Sequence, residues 1–150
     1  MKKEQDIYFM QLALQEAQKA YTLGEVPVGA ILVKDNHVIS SGYNLRESKH
    51  NSLAHAELVA ISDGCKALDS WRLDGCTIYV TLEPCPMCTG AIINSRISRI
   101  VYGTPDDKAG CCGSVANLLA MDFNHRPVLT GGILKEACAD ILQSFFQALR

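Results

Sequence analysis

Residues 81–89 read TLEPCPMCT and residues 55–57 read HAE, and the relation between these two stretches decides how the chain is organised. Upstream of the first lies CTIYVTL, residues 76–82, an apolar run too short for a helix and bounded by Gly75 and by Glu83-Pro84. It reads as a buried strand. Residues 86–95, PMCTGAIINS, read as a helix with Pro86 suited to its first turn. A strand that runs into Cys85-x-x-Cys88 at a helix start puts both sulfurs on one face, where the helix N-terminus favours thiolates. That arrangement suits a redox couple, half of a structural zinc knot, or two ligands of a catalytic metal. Two buried thiols with no role are the blandest alternative.

His55 separates these readings. Taken singly, a histidine near a helix start is most often a surface or capping residue. Here it opens the otherwise apolar stretch AHAELVAISDGCKAL, residues 54–68, which reads as a helix closing near Gly64 or a little beyond. One imidazole and two thiolates leave a tetrahedral Zn²⁺ one open position, the mark of a catalytic rather than a closed structural site. They also cancel the metal's charge, which lowers the desolvation cost of a buried site. His37, His50 and His125 fall at no ligand spacing, and Cys111-Cys112 in a later loop are the remaining candidates to close the site.

Glu57 is the residue a structural zinc site does not need. Its ordinary reading is a solvated first-turn glutamate that complements the helix dipole. Beside a zinc-bound water it has a task, because zinc lowers that water's pKa from about 16 to about 7, roughly 12 kcal/mol of differential stabilisation. A carboxylate in reach can take the proton and return it to a substrate ring nitrogen and then to the leaving amine, which is hydrolytic deamination.

Working outward, residues 6–22 carry Ile7, Met10, Leu14, Ala17 and Tyr21 at helical spacing, with Asp6 as N-cap and Gly24 as stop. Residues 27–44 give two β-rich runs around Asp35-Asn36, a hairpin signature. Later come a strand at 98–103, a loop at 104–114, a short helix at 115–121, a strand at 127–131 and a terminal helix at 134–150. In that last helix Ala137, Ile141, Phe145 and Leu149 repeat four apart. Together these predict an α/β fold around a mixed sheet, in a single domain over residues 1–150 with no linker or repeat.

At 150 residues and 48% hydrophobic the chain is long enough for a sizeable core. No stretch nears a membrane span, no apolar leader follows the two N-terminal lysines, and seven cysteines cannot form a complete disulfide set. A cytoplasmic protein with free thiols or metal ligands, and no membrane partner, is expected. The net charge of −2 argues against broad nucleic-acid binding, though not against a local basic patch.

HAE followed by PCPMC resembles the H-x-E…P-C-x-x-C signature of the zinc nucleobase deaminases. The likeness spans nearly the whole chain. GEVPVGAILV, YNLRE, SWRLDGCTIYVTLEPCPMC, VYGTPDDKAGCCGS, FNHR and GGILKEAC are similar to the bacterial tRNA-specific adenosine deaminase family. That resemblance implies a three-layer α/β/α cytidine-deaminase-like fold around a mixed five-stranded sheet, a homodimer and one Zn²⁺ per subunit, with no organic cofactor. It also implies conversion of the wobble adenosine, position 34, of an arginine tRNA to inosine, zinc-activated water attacking C6 while Glu57 shuttles protons. His55, Cys85 and Cys88 would hold the zinc. Asn44 would bond the flipped base, Ala56 and Cys85 backbones would orient water and base, and Val26 and Pro27 would wall the pocket. Arg46, Asp106, Lys108, Phe145 and Arg150 would lie along the anticodon stem-loop. Without the resemblance, Asn44 reads as a turn residue and the basic residues as surface charge, and at least one of Phe145 and Phe146 as core.

Three features depart from the family pattern. Pro105 precedes Asp106, where relatives carry a proline after the aspartate, and this is expected to re-aim Asp106 and Lys108. Cys112 stands for a small residue and brings an oxidation-prone thiol. The sequence ends at Arg150 without the basic tail of many relatives, which is expected to weaken phosphate contacts. Three rival readings remain at this point: a deaminase of free guanine, cytosine or a nucleoside; a thioredoxin-like redox protein; and a zinc-stabilised RNA-binding module without catalysis.

Overall fold

The computed structural model describes residues 2–149. Helix α1 (Lys2–Thr22) leads to strands β1 (Gly29–Lys34) and β2 (His37–Tyr43), helix α2 (Ala56–Leu68) and strand β3 (Cys76–Leu82). Helix α3 (Pro86–Asn94), strands β4 (Arg99–Thr104) and β5 (Val128–Thr130) and helix α4 (Lys135–Ala148) complete it. The sheet order is β2-β1-β3-β4-β5, with β1 antiparallel to both neighbours and β3, β4 and β5 parallel. This is the mixed five-stranded sheet the resemblance implied.

Strand alternation distributes the core over two faces. Leu32, Ile78 and Ile100 meet Ile61 of α2 and Ile92 of α3, whereas Ile31, Tyr79 and Val101 meet Phe9 of α1 and Cys138 of α4. The result is three layers, helices α1 and α4 on one face and α2 and α3 on the other. Gly42 marks how closely α2 is laid on β2: a Cβ there would overlap the Ala56 carbonyl and the Ala60 N–H, so the first turn of α2 is seated directly on the strand. The hairpin turns through Asp35 (φ 51) and Asn36 (φ 61), the two positive φ values of a type I′ turn. Between Leu32/Val33 and their partners the register shifts from Ser40 to Val38, leaving Ile39 of the outer strand β2 as a bulge.

Asp6 is not an N-cap. It lies inside α1, buried, with its carboxylate gripped by both ends of Arg99 (Nη1–Oδ1 2.7 Å, Nη2–Oδ2 2.6 Å) and by the Tyr79 hydroxyl at 2.8 Å. Arg99 Nη2 also donates to Thr130 Oγ1 at 2.9 Å, so one ion pair ties α1 to β3, β4 and β5. The buried face of α1 is correspondingly rotated to Phe9, Met10, Ala13, Ala17 and Ala20, and only Met10 and Ala17 of the predicted stripe are fully inside. In α4 the buried positions are Cys138 and Phe145, while Ala137 and Leu149 face solvent. The helix predicted at 115–121 shrinks to one 3₁₀ turn, Leu118–Ala120, capped by the Asn117 side chain on Leu119 N–H.

Burial alone would raise the Asp6 carboxyl, but the Arg99 and Tyr79 hydrogen bonds and the Arg99 charge outweigh it and hold it below its ordinary value. A carboxyl lowered on folding contributes stability above its unfolded pKa and loses it as pH falls through the folded one. Asp6→Asn, which leaves the Arg99 charge buried without its partner, is expected to cost about 3 kcal/mol at neutral pH in urea denaturation. It should also flatten the loss of stability on acidification. An acid limb unchanged from wild type would remove this role from Asp6.

Candidate metal centre

Two helix starts build the centre. His55 is the N-cap residue of α2 (φ −78, ψ 152); its carbonyl accepts the Val59 N–H at 3.1 Å and its side chain makes no capping bond. Cys85 is the N-cap residue of α3 (φ −74, ψ 176), its carbonyl accepting the Thr89 N–H at 2.9 Å, with Pro86 opening the helix. Both backbones serve their helices while both side chains are left for other work. His55 Nδ1 lies 3.6 Å from Cys85 Sγ and 3.5 Å from Cys88 Sγ. Ligand atoms on a zinc tetrahedron, with metal–sulfur and metal–nitrogen bonds of about 2.3 and 2.0 Å, stand about 3.5 Å apart, so the donor set fits the ion. Among the described residues this is the one cluster of three such side chains, which leaves His37, His50, His125 and Cys111-Cys112 outside it.

The electrostatics suit a cation. The Cys85 thiol is held down at about 4, first by the hydrogen bond from Cys88 and then by His55, while Cys88, as the donor, is pushed up. Glu57 lies in the first turn of α2 and is not solvated: it is 4% exposed, and burial pushes its carboxyl up to about 7. It shares the wall of one cavity with His55 and Cys85, which sets the carboxylate beside the ligand cluster.

A cavity of about 220 Å³ opens on these residues, with His55, Ala56, Glu57 and Cys85 in its wall. Val26, Val28 and Leu82 supply apolar surface; Asn44 and Arg46 come from the loop after β2, and Asp106 and Ala109 from the loop after β4. Pro27 is buried but does not line it. The Val28 N–H donates to the Val26 carbonyl at 2.9 Å, a tight turn that sets the two valines, not the proline between them, on the cavity. Asn44 is fixed at both ends of its amide: Nδ2 donates to the Val26 carbonyl and Oδ1 accepts the Arg46 N–H, each at 3.1 Å.

Asp106 reaches the cavity despite Pro105, and its Oδ1 accepts the N–H groups of Lys108 and Ala109. Lys108 is exposed beyond the rim, and Arg46, half-exposed at it, stands 3.7 Å from Glu47. Phe145 does not join the site. It is buried with its ring 5.5 Å from Tyr21, packing α4 on α1, while Phe146 is the exposed member of the pair. Arg150 lies outside the described residues. Cys112 is buried and its thiol is pushed up to about 11, first by burial, so it stays protonated rather than oxidation-prone. Sequence reasoning passed over Val28, Leu82, Ala109 and Glu83 in the wall; the last sits inside the quoted TLEPC, where a charged residue in a buried context was the available signal.

A three-layer α/β fold with His-x-Glu at one helix start and Cys-x-x-Cys at the next defines a zinc deaminase of the cytidine deaminase class. Residues 3–104 match the cytidine and deoxycytidylate deaminase zinc-binding region. The chain is 49% identical over 147 residues to a tRNA-specific adenosine deaminase of Bacillus subtilis, covering 97% of this chain and 91% of that one. It is 44% identical over 152 residues to that of Haemophilus influenzae, covering 100% and 88%. A solved structure from work on A-to-I editing by tRNA:A34 deaminases superposes with a TM-score of 0.85 at 40% identity, over 90% of this chain and 99% of that one. The chain belongs to the tRNA-specific adenosine deaminase family within the cytidine and deoxycytidylate deaminases. It is an enzyme that hydrolyses a C–N bond, with zinc as its metal.

Purified protein is therefore expected to carry one zinc per chain by elemental analysis. Cys88→Ala should lose most of it. Stripping the metal with a chelator should lower the melting temperature, because buried Cys88 and the half-buried His55 and Cys85 are then left without their shared partner. Full zinc occupancy in Cys88→Ala would overturn the ligand assignment.

Proposed function

We propose that the enzyme deaminates the wobble adenosine, position 34, of an arginine tRNA to inosine, taking up water and releasing ammonia. The observation that carries the reading is Glu57, a buried carboxylate against the His55, Cys85 and Cys88 cluster at the wall of a cavity open to solvent. Zinc held by that cluster would bring a water in its open position to a pKa of about 7. Glu57 would take one proton from that water and deliver it to the ring nitrogen beside C6. It would then take the second from the hydroxyl now on C6 and pass it to the amine, which leaves as ammonia as the C6–N bond breaks and the C6 carbonyl forms. The Ala56 and Cys85 backbones orient water and base.

The cavity, about 220 Å³, is small beside the roughly 300–1,000 Å³ of ordinary small-molecule sites, which suits one flipped base rather than a whole nucleotide. Val26, Val28 and Leu82 flank the ring and exclude water. Asn44, its amide locked by Val26 and Arg46, still has one N–H and one lone pair for the base edge. Arg46, exposed in the cavity wall, and Lys108, exposed beyond the rim, are the side chains proposed to meet phosphates flanking an extruded loop nucleotide, and Arg150 belongs to the same proposal. A cytoplasmic homodimer is the proposed working form. A tRNA rather than a free base is favoured by the likeness to relatives named for that substrate over nearly the whole chain.

The test is inosine formation by zinc-loaded protein on an arginine tRNA anticodon stem-loop, with free adenosine, guanine and cytosine alongside. Inosine is expected in the stem-loop only. Glu57→Gln should retain zinc and lose at least about a hundredfold in kcat. Ammonia from a free base alone would move the enzyme to the small-molecule deaminases and return Arg46 and Lys108 to ordinary surface charge.

A further inference from the structure

We infer that Glu25 and Glu83 are positioning residues, each holding one loop of the cavity rim in the shape that receives the base; the inference rests on the tRNA reading above. Both are buried, at 1% and 2% exposure, and neither forms an ion pair among the described residues. Their carboxylates are instead surrounded by loop donors. Glu25, directly after the Gly24 that ends α1, accepts the N–H of Glu47 at 3.1 Å and of Ser48 at 2.6 Å. Glu83, directly after β3, accepts the N–H groups of Asp106 at 3.1 Å, Cys112 at 2.9 Å and Ser114 at 3.1 Å, together with the Ser114 hydroxyl.

These two loops are the ones that furnish the polar rim. The loop held by Glu25 carries Asn44 and Arg46, and the loop held by Glu83 carries Asp106 and Ala109. Neither loop pairs with the sheet, so the converging N–H groups have no strand to bond. A carboxylate answers this where a neutral side chain does not: it offers acceptors only, several at once, in charge-assisted bonds. Gly110 lies so close over Glu83 that a Cβ would overlap the carboxylate, which shows the loop moulded on that group. Charge buried without a cation is costly unless every oxygen is bonded. At both glutamates that cost is met within the rim of the cavity.

A glutamine in either place turns one acceptor into a donor facing an N–H, and the loop is released. The base must then order the loop as it binds, so the loss should fall on KM rather than on kcat. The experiment compares full-length, zinc-loaded wild type with Glu25→Gln, Glu83→Gln, Ser114→Ala and, as control, Glu136→Gln on the exposed side of α4. Amide hydrogen exchange, zinc content, and KM and kcat on the anticodon stem-loop are measured for each.

Faster exchange is expected at Glu47 and Ser48 in Glu25→Gln alone, and at Asp106, Cys112 and Ser114 in Glu83→Gln alone. KM should rise roughly tenfold in both with kcat within about threefold and zinc retained, and roughly threefold in Ser114→Ala. Should Glu83→Gln fail to fold, Ser114→Ala reads the same contact. Unchanged exchange and KM would overturn the inference, as would a fall in kcat or zinc content at constant KM, which marks a merely structural group. No inosine from wild type, with loop-specific exchange changes intact, would refute the tRNA reading while upholding the loop assignment.

Discussion

The structure turns on bringing two sulfurs to within 3.6 Å of one imidazole nitrogen thirty or more residues earlier in the sequence. No single element can do this. It takes a strand, β3, whose end delivers Cys85 into the start of α3, and a helix, α2, seated on β2 closely enough that its own start reaches the same end of the sheet. Gly42 allows that seating by leaving the space a side chain would fill. The antiparallel-to-parallel change at β3 follows from the same requirement, since α3 has to leave β3 and return to β4 on the face that α2 covers. Placing Cys85 at the N-cap of α3 and Cys88 in its first turn also turns the positive end of that helix toward groups that work as thiolates.

What could be read from the sequence follows the range of the forces involved. β3, α3 and the hairpin were legible because each is fixed by neighbours in the chain: an apolar run, a proline at a first turn, an Asp-Asn pair. His55, Cys85, Cys88 and Glu57 were legible because ligand chemistry restricts residue type, and the family likeness supplied Asn44 and Val26. Asp6 was misread because nothing local says that an aspartate near a helix start will meet an arginine ninety-three residues away. The stripes of α1 and α4 were displaced by the same blindness, since the face a helix buries is settled by what packs on it. Pro27 and Phe145 show a finer limit. A three-residue turn and an interhelical ring contact aim these two side chains away from the cavity.

Three buried glutamates illustrate how environment separates like residues. Glu57 is short of donors and rises to about 7, poised between its charged and neutral forms. Glu25 and Glu83 are equally buried, but burial is outweighed there by the hydrogen bonds they accept, and both are held below the usual carboxylate range. One side chain type thus supplies a group that can move protons and two that stay ionised. The buried cysteines divide in a similar way: Cys112 and Cys138 are pushed up to about 11 and about 12, whereas Cys85 in the metal cluster is held down at about 4.

The bulge at Ile39 has a bearing on how the enzyme behaves at high concentration. β2 is the outer strand of the sheet and β5, at the other side, is three residues long. An open sheet with two long flat margins is a template for strand addition by another copy, and thence for fibrils. Here one margin is bent out of register by an extra residue and the other is too short to nucleate a ladder. The molecule can therefore keep a half-exposed outer strand in a crowded cell without polymerising through it.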